Sequence, residues 1–304
     1  MNSSVELAAA PRTGIVWSRG GMIALLMLAT LIWGSTFLVV QQTLALVGPF
    51  TFLTLRFAVA TLALAVIFRR RLRALRASEL RAGALIGVVI FAAFSLQTLG
   101  LQYITSSKAG FITSLYVPLV PLFAIVFLRQ WPSALAWLGV AISLSGLLLL
   151  SLNDQLTLAL GRGEWLMLGC AVACALHIVA VGKYAPQADP IRLTVVQLAI
   201  TTLLCALAVP ITGEPLVEPP ALVWGSVLFI GLLATAFCLA AMNFTQQHIS
   251  SVQATLIYAL EPAWAGLFGF LAGEALATLA WVGCGLIFAG LIVSSLPLPG
   301  RQAQ

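Results

Sequence analysis

The chain has 304 residues, of which 61% are hydrophobic and 8% charged, with a formal net charge of +6. A mean hydropathy of +1.08 excludes a water-soluble globular domain and places the chain in a bilayer. The basic excess then reads as a topology determinant and a contact for anionic lipid, not as a nucleic-acid surface.

Residues 1–19 carry Arg12 and Arg19 but no apolar core of their own, so no cleavable leader is expected there. Apolar segments of about 20 residues, the length of a membrane-crossing helix, follow in close succession. They predict ten transmembrane helices, at 20–43, 49–68, 80–100, 107–128, 132–151, 163–184, 190–211, 221–243, 251–272 and 276–297. The connections are short, so residues 1–304 are expected to form a single all-α integral membrane domain. With the N-terminus inside, the basic run from Arg69 to Arg81, Arg129, Lys183, Arg192 and Arg301 all fall on the cytoplasmic side. Both termini are therefore predicted to be cytoplasmic.

Polar residues inside these segments are the candidate site. In the first predicted helix Trp33 and Phe37 lie one turn apart, as an aromatic wall or as ordinary packing. Arg56, near the middle of the second, reads as a structural ion pair or an anion contact at the inner mouth. Gln97 and Tyr116 offer neutral hydrogen bonding in the third and fourth. Lys108, after Ser106 and Ser107, would hold a substrate carboxylate or snorkel to the outer interface. Pro118 and Pro121 break the fourth helix. In the sixth, Cys170, Cys174 and His177 share a stripe, but it spans two turns, about 10 Å, too long for one ion. No metal and no cofactor is expected. Asn243 adds an amide to the eighth helix, where such groups also serve as glue between helices.

The ninth segment reads LIYALEPAWAGLFGFL and contains Glu261 followed by Pro262. A carboxylate at the bilayer centre costs roughly 2.5–3.5 kcal/mol on insertion scales, so it marks either a pathway or a helix-locking pair with a cation such as Lys108 or Arg56. Pro262 lacks an N–H and clashes with the carbonyl of Tyr258, which predicts a break. Irregular backbone at membrane depth is tolerated only against protein or a water-filled cavity. Tyr258, Glu261, Ala265 and Phe268 would then share one face bordering a path.

Sliding the chain on itself by 144 residues aligns 102–151 with 246–295 and matches Ser106/Ser250, Ser107/Ser251, Pro118/Pro262, Trp137/Trp281, Gly139/Gly283 and Gly146/Gly290. The same offset sets Trp33 over His177. Each unit, 20–151 and 163–297, holds five predicted helices. Five is odd, so the units are expected to be inverted, the architecture of alternating-access carriers with a site near the midplane.

The chain also resembles the EamA-type ten-helix members of the drug/metabolite transporter superfamily. The resemblance rests on Trp33-Gly34-Ser35-Thr36-Phe37, Gly48-Pro49, Leu55-Arg56-Phe57 and the stretch TSSKAGFITSLYVPLVP at 105–121. In the second half it rests on Glu261-Pro262, Gly273-Glu274 and the Gly283 to Gly290 spacing. It implies export of small metabolites, often amino acids, from a cavity lined by helices 1, 3, 4, 6, 8 and 9. Val117 stands where the symmetric pattern would repeat Glu261.

The expected function is a secondary transporter exporting amino acids, including aromatic or apolar ones, across a bacterial inner membrane. Its partners would be the substrate, the lipid bilayer and protons, with a monomer sufficient. A passive facilitator, or an amine and drug exporter using Glu261 as counter-charge, are the alternatives. HExxH, GxSxG and P-loop motifs are absent, which argues against an enzyme or self-contained ATP-driven transport.

Overall fold

The computed structural model describes residues 18–104, 106–151, 161–215, 218–271 and 278–296. Every regular element among them is helical. In chain order the α-helices are α1 (Arg19–Leu44), α2 (Pro49–Ile67), α3 (Arg69–Leu72), α4 (Ala77–Gly100), α5 (Ser106–Thr113), α6 (Tyr116–Phe123) and α7 (Ala134–Ser151). They continue with α8 (Arg162–Tyr184), α9 (Pro190–Thr212), α10 (Ala221–Phe229), α11 (Cys238–Thr245), α12 (Ser251–Tyr258), α13 (Glu261–Leu271) and α14 (Thr278–Ser295). π-helical stretches at Ala124–Leu128 and Ile230–Phe237 extend α6 and join α10 to α11. Among the described residues, seven stretches are long and apolar enough to cross a membrane, and Ala134–Leu149 and Trp281–Ser294 are shorter apolar helices. The protein is a multi-pass membrane protein.

Helix starts follow local chemistry. Pro49 and Pro190 occupy the first turns of α2 and α9, where a missing N–H costs nothing. Ser18, Asp189 and Ser250 cap α1, α9 and α12 through their side-chain oxygens. Two carboxylates then pin α9 at both ends. At one end, Glu79 accepts from the Asp189 amide at 2.9 Å and pairs with Arg192 at 3.3 Å, while Arg71 approaches Asp189 at 3.7 Å. At the other, Gly213 closes α9 in the left-handed region (φ 70°), the geometry glycine adopts without cost. The chain there directs Glu214 onto the start of α2, where its carboxylate accepts from the Phe50 and Thr51 amides at 2.8 and 2.9 Å.

Between helices, glycines let backbones meet. A Cβ built on Gly139 of α7 would lie 2.7 Å from the Gly290 carbonyl oxygen of α14, and one on Gly146 2.5 Å from that of Gly283. Early residues of one helix thus face late residues of the other, so α7 and α14 run antiparallel. The contact is also reciprocal under the 144-residue offset. The same exchange of roles recurs elsewhere. Gly87 of α4 presses on the Gln197 carbonyl and Ile200 of α9; Gly231, 144 residues on, presses on the Arg56 carbonyl and Val59 of α2. Aligning Pro49 with Pro190 puts Arg56 opposite Gln197 and Thr61 opposite Thr202, and those two threonines share a hydrogen bond of 3.2 Å. One half repeats the contacts of the other as a two-fold axis across the helices would generate them.

The breaks also correspond. A two-residue turn at Ser114–Leu115 separates α5 from α6, and one at Ala259–Leu260 separates α12 from α13. Pro118 and Pro262 follow within four residues of each turn and Pro121 lies inside α6. The expected continuous face through Tyr258, Glu261 and Ala265 is therefore interrupted. Beyond the break α13 turns its Ala265 backbone toward α1, where a Cβ on Gly34 would lie 3.0 Å from the Ala265 nitrogen.

Filling a glycine contact should separate α7 from α14. Gly146→Leu is expected to cost about 1–3 kcal/mol, as overpacking does, and to lower the melting temperature of the purified protein in detergent. Gly285→Leu, on the same α14 but with open space around it, should leave that temperature unchanged.

Candidate functional site

The breaks in α5–α6 and α12–α13 border a cavity of about 100 Å³, several times the space one ordered water needs. Seven of the nine predicted substrate-path residues line it: Trp33 and Phe37 from α1, Gln97 from α4, Tyr116 from α6, His177 from α8, Tyr258 from α12 and Glu261 from α13. Asn243 does not. It is fully buried and donates to Thr194 on α9 at 2.8 Å, so it bonds α11 to α9. The Lys108 side chain lies outside the described residues.

The apolar wall is built by directed contacts. Trp33 meets Tyr258 edge to face at 5.7 Å and donates its indole N–H to the Ala234 carbonyl at 2.7 Å. That carbonyl belongs to the π-helical stretch, whose wider turns alter the pattern of main-chain bonding. Thr235, in the same stretch, donates to the Ile230 carbonyl and accepts from Arg56 Nε at 2.7 Å. Gln246 donates to the Tyr258 hydroxyl at 3.4 Å beneath the cavity.

Arg56 does not make the ion pair expected of it. It is 4% exposed, lines the cavity, and its guanidinium lies 4.5 Å from the Phe94 ring centre and 5.4 Å from that of Phe57. It forms no ion pair among the described residues, and in particular none with Glu261. Of the two locking pairs considered from sequence, the one with Arg56 is not made among the described residues, because Arg56 is spent on Thr235 and two aromatic rings, and the one with Lys108 falls on a side chain outside them. Its presence adds α2 to the helices around the cavity.

Three further polar groups on the cavity lack partners among the described residues. Glu261 makes no side-chain hydrogen bond or ion pair among the described residues. The Tyr116 hydroxyl and His177 Nε2 are buried and likewise without hydrogen-bond partners there. Next to His177, Cys174 lines the cavity with its sulfur 3.8 Å from that of Cys170. Among the described residues no group of three His, Cys, Asp or Glu side chains has the arrangement of a metal site. The cysteine's place on the wall follows from its spacing with His177, a stripe that the sequence shows and that is weighed there only as a metal site.

Comparison with known proteins gives consistent matches. The family model described as the EamA-like transporter family matches twice, at residues 20–152 and 161–296. An uncharacterized transporter of Archaeoglobus fulgidus is 31% identical over 273 residues, covering 89% of this chain and 84% of that protein. The uncharacterized inner membrane transporter YedA of Escherichia coli is 27% identical over 276 residues, with 88% of each chain covered. A solved protein crystal structure superposes with a TM-score of 0.77 at 20% identity, covering 91% of this chain and 97% of that one, and so shares the fold.

The contrast between lining and bonding groups is testable by thermal unfolding in detergent. Tyr116→Phe removes a hydroxyl with no partner among the described residues and should leave the melting temperature unchanged or raised. Asn243→Ala strips the donor from Thr194 inside the helix packing and should cost about 1–3 kcal/mol.

Proposed function

The chain belongs to the EamA-like transporter family, and from that premise we propose that it is a secondary transporter exporting small metabolites, foremost amino acids, across a bacterial inner membrane. The observation that carries this reading is a cavity at paired helix breaks, lined from both halves and holding two charged side chains with no ion pair among the described residues. A structural core would neutralise such groups; a carrier keeps them for its cargo.

In this reading the chain crosses the membrane ten times as two inverted five-helix repeats, with both termini in the cytoplasm. The reciprocal contacts of α7 with α14, α2 with α9, and Gly87 and Gly231 with their carbonyls support it. So does the grouping of Arg71, Arg192 and the Ala74 carbonyl, joined to Arg192, at one end of the helices, the end that basic residues assign to the cytoplasm. The breaks at Ser114–Leu115 and Ala259–Leu260 supply equivalent flexure points for alternating access. The aromatic pair Trp33 and Tyr258 suits an apolar substrate body, and Gln97, Tyr116 and His177 suit its polar groups. Lys108 at the start of α5 would serve the outer mouth.

Counterflow in proteoliposomes tests the proposal. Vesicles preloaded with an unlabelled amino acid should accelerate uptake of the same labelled compound, with saturation. Flux that rises linearly with concentration and shows no trans-stimulation would identify a passive pore instead. Counterflow of amines but not amino acids would move the substrate class to the amine reading, with Glu261 as counter-charge.

A further inference from the structure

We propose that Arg56 and Glu261 form a split site for a zwitterion, Arg56 receiving the anionic group of the cargo and Glu261 its cationic group. The inference rests on the central cavity being the substrate site. It adds which charges the cargo must carry and which side chains read them.

The first support is electrostatic. Two opposite charges buried in a bilayer are normally settled by pairing with each other. Here both line one cavity, yet no ion pair joins them. Arg56 uses Nε on Thr235 and lays its plane against Phe94 and Phe57, an arrangement that orients the guanidinium. Its two terminal nitrogens make no hydrogen bond among the described residues. They are the fork that matches a carboxylate bidentately. Glu261, on the other half of the protein, is an acceptor without a donor among the described residues.

The second support comes from the repeat, and it is independent of the first. The position corresponding to Arg56 in the other half is Gln197, which makes the same close backbone contact with a glycine. The position corresponding to Glu261 is Val117, likewise followed by proline at a helix break. Each site in the fold is thus built once with a charge and once without. Packing requires charge at neither, and each half contributes one charge of opposite sign. The π-helical stretch that presents Thr235 to Arg56 is also confined to one half, since the matching part of α4 is ordinary α-helix.

The third support is the surrounding chemistry. The Tyr116 hydroxyl and His177 Nε2, at 5% and 7% residue exposure and without hydrogen-bond partners among the described residues, sit on the same cavity and can bond a bound ligand's polar atoms. The Trp33–Tyr258 pair offers ring surface for the cargo's body. A zwitterion would match both charges while adding no net charge to the site. A ligand with only an amine or only a carboxylate leaves one buried charge unmatched and is disfavoured.

The test is a binding measurement on the full chain in nanodiscs with matched triads. Each triad comprises an amino acid, the amine lacking its carboxylate and the acid lacking its amine, built on aromatic, aliphatic and polar side chains; phenylalanine, phenethylamine and 3-phenylpropanoate are one such set. For at least one triad the zwitterion should bind about tenfold or more tighter than either single-charge analogue. Arg56→Gln should abolish its advantage over the amine, and Glu261→Gln its advantage over the acid, while Arg56→Lys retains part of it. The wild-type ratios decide the matter even where a variant does not fold. A single-charge analogue binding as tightly as its zwitterion in every triad that binds, or no triad binding, overturns the split site. Counterflow of some other compound in that case would leave the carrier reading standing, whereas absence of counterflow with every class would remove the carrier reading itself.

Discussion

Between helices immersed in lipid the hydrophobic effect gains little, because acyl chains are as apolar as leucine, and association relies on close packing and polar contacts. In this protein that demand is met by glycines set against carbonyl oxygens. Gly139 and Gly146 bring α7 onto α14, Gly87 brings α4 onto α9, and Gly231 brings the π-helical stretch onto α2. Glu79 then anchors the start of α9 by accepting from the Asp189 amide, and Glu214, just past the end of α9, ties it to α2 by accepting from the first amides of that helix. The helices so held form a frame, and the cavity occupies the space left among α1, α2, α4, α8, α11 and the broken pairs α5–α6 and α12–α13.

Placing helix breaks at that space is consistent with main-chain chemistry. A proline removes one amide and displaces the preceding carbonyl, which needs water, ligand or a side chain in exchange. Pro118 and Pro262 follow such breaks in the two halves, and their surroundings differ only in what was added to them. On one side stand Tyr116 and Val117; on the other, Tyr258, Glu261 and, through the π-helical stretch, the bond between Thr235 and Arg56. The common frame and the particular chemistry are thus separable in the structure, residue against equivalent residue.

Much of the frame was legible in the sequence because it depends on length, apolarity and spacing. The 144-residue offset located Gly139/Gly283 and Gly146/Gly290, and proline located both breaks. The correspondence of Arg56 with Gln197 was hidden because there the offset is 141, and only Pro49 and Pro190 mark the change. Seven candidate residues gather on the cavity because polar and aromatic groups inside apolar helices are few. Asn243 shows the limit of that argument: an amide in a membrane helix serves a neighbouring helix as readily as a ligand, and only the position of Thr194 distinguishes the two. The ion-pair alternative for Arg56 failed for a related reason, since a charge in sequence calls for an opposite charge, whereas two rings and a hydroxyl hold this one.

The correspondence of the halves has a thermodynamic consequence. Were they identical, a conformation opening to one side of the membrane and its two-fold mate opening to the other would be degenerate, equally populated with no ligand and no gradient. Every place where the halves differ lifts that degeneracy: Arg56 against Gln197, Glu261 against Val117, a π-helical stretch against an α-helical one. The resting preference of the empty protein would therefore be set by the residue differences between the halves, and the charged side chains proposed to read the cargo are among them.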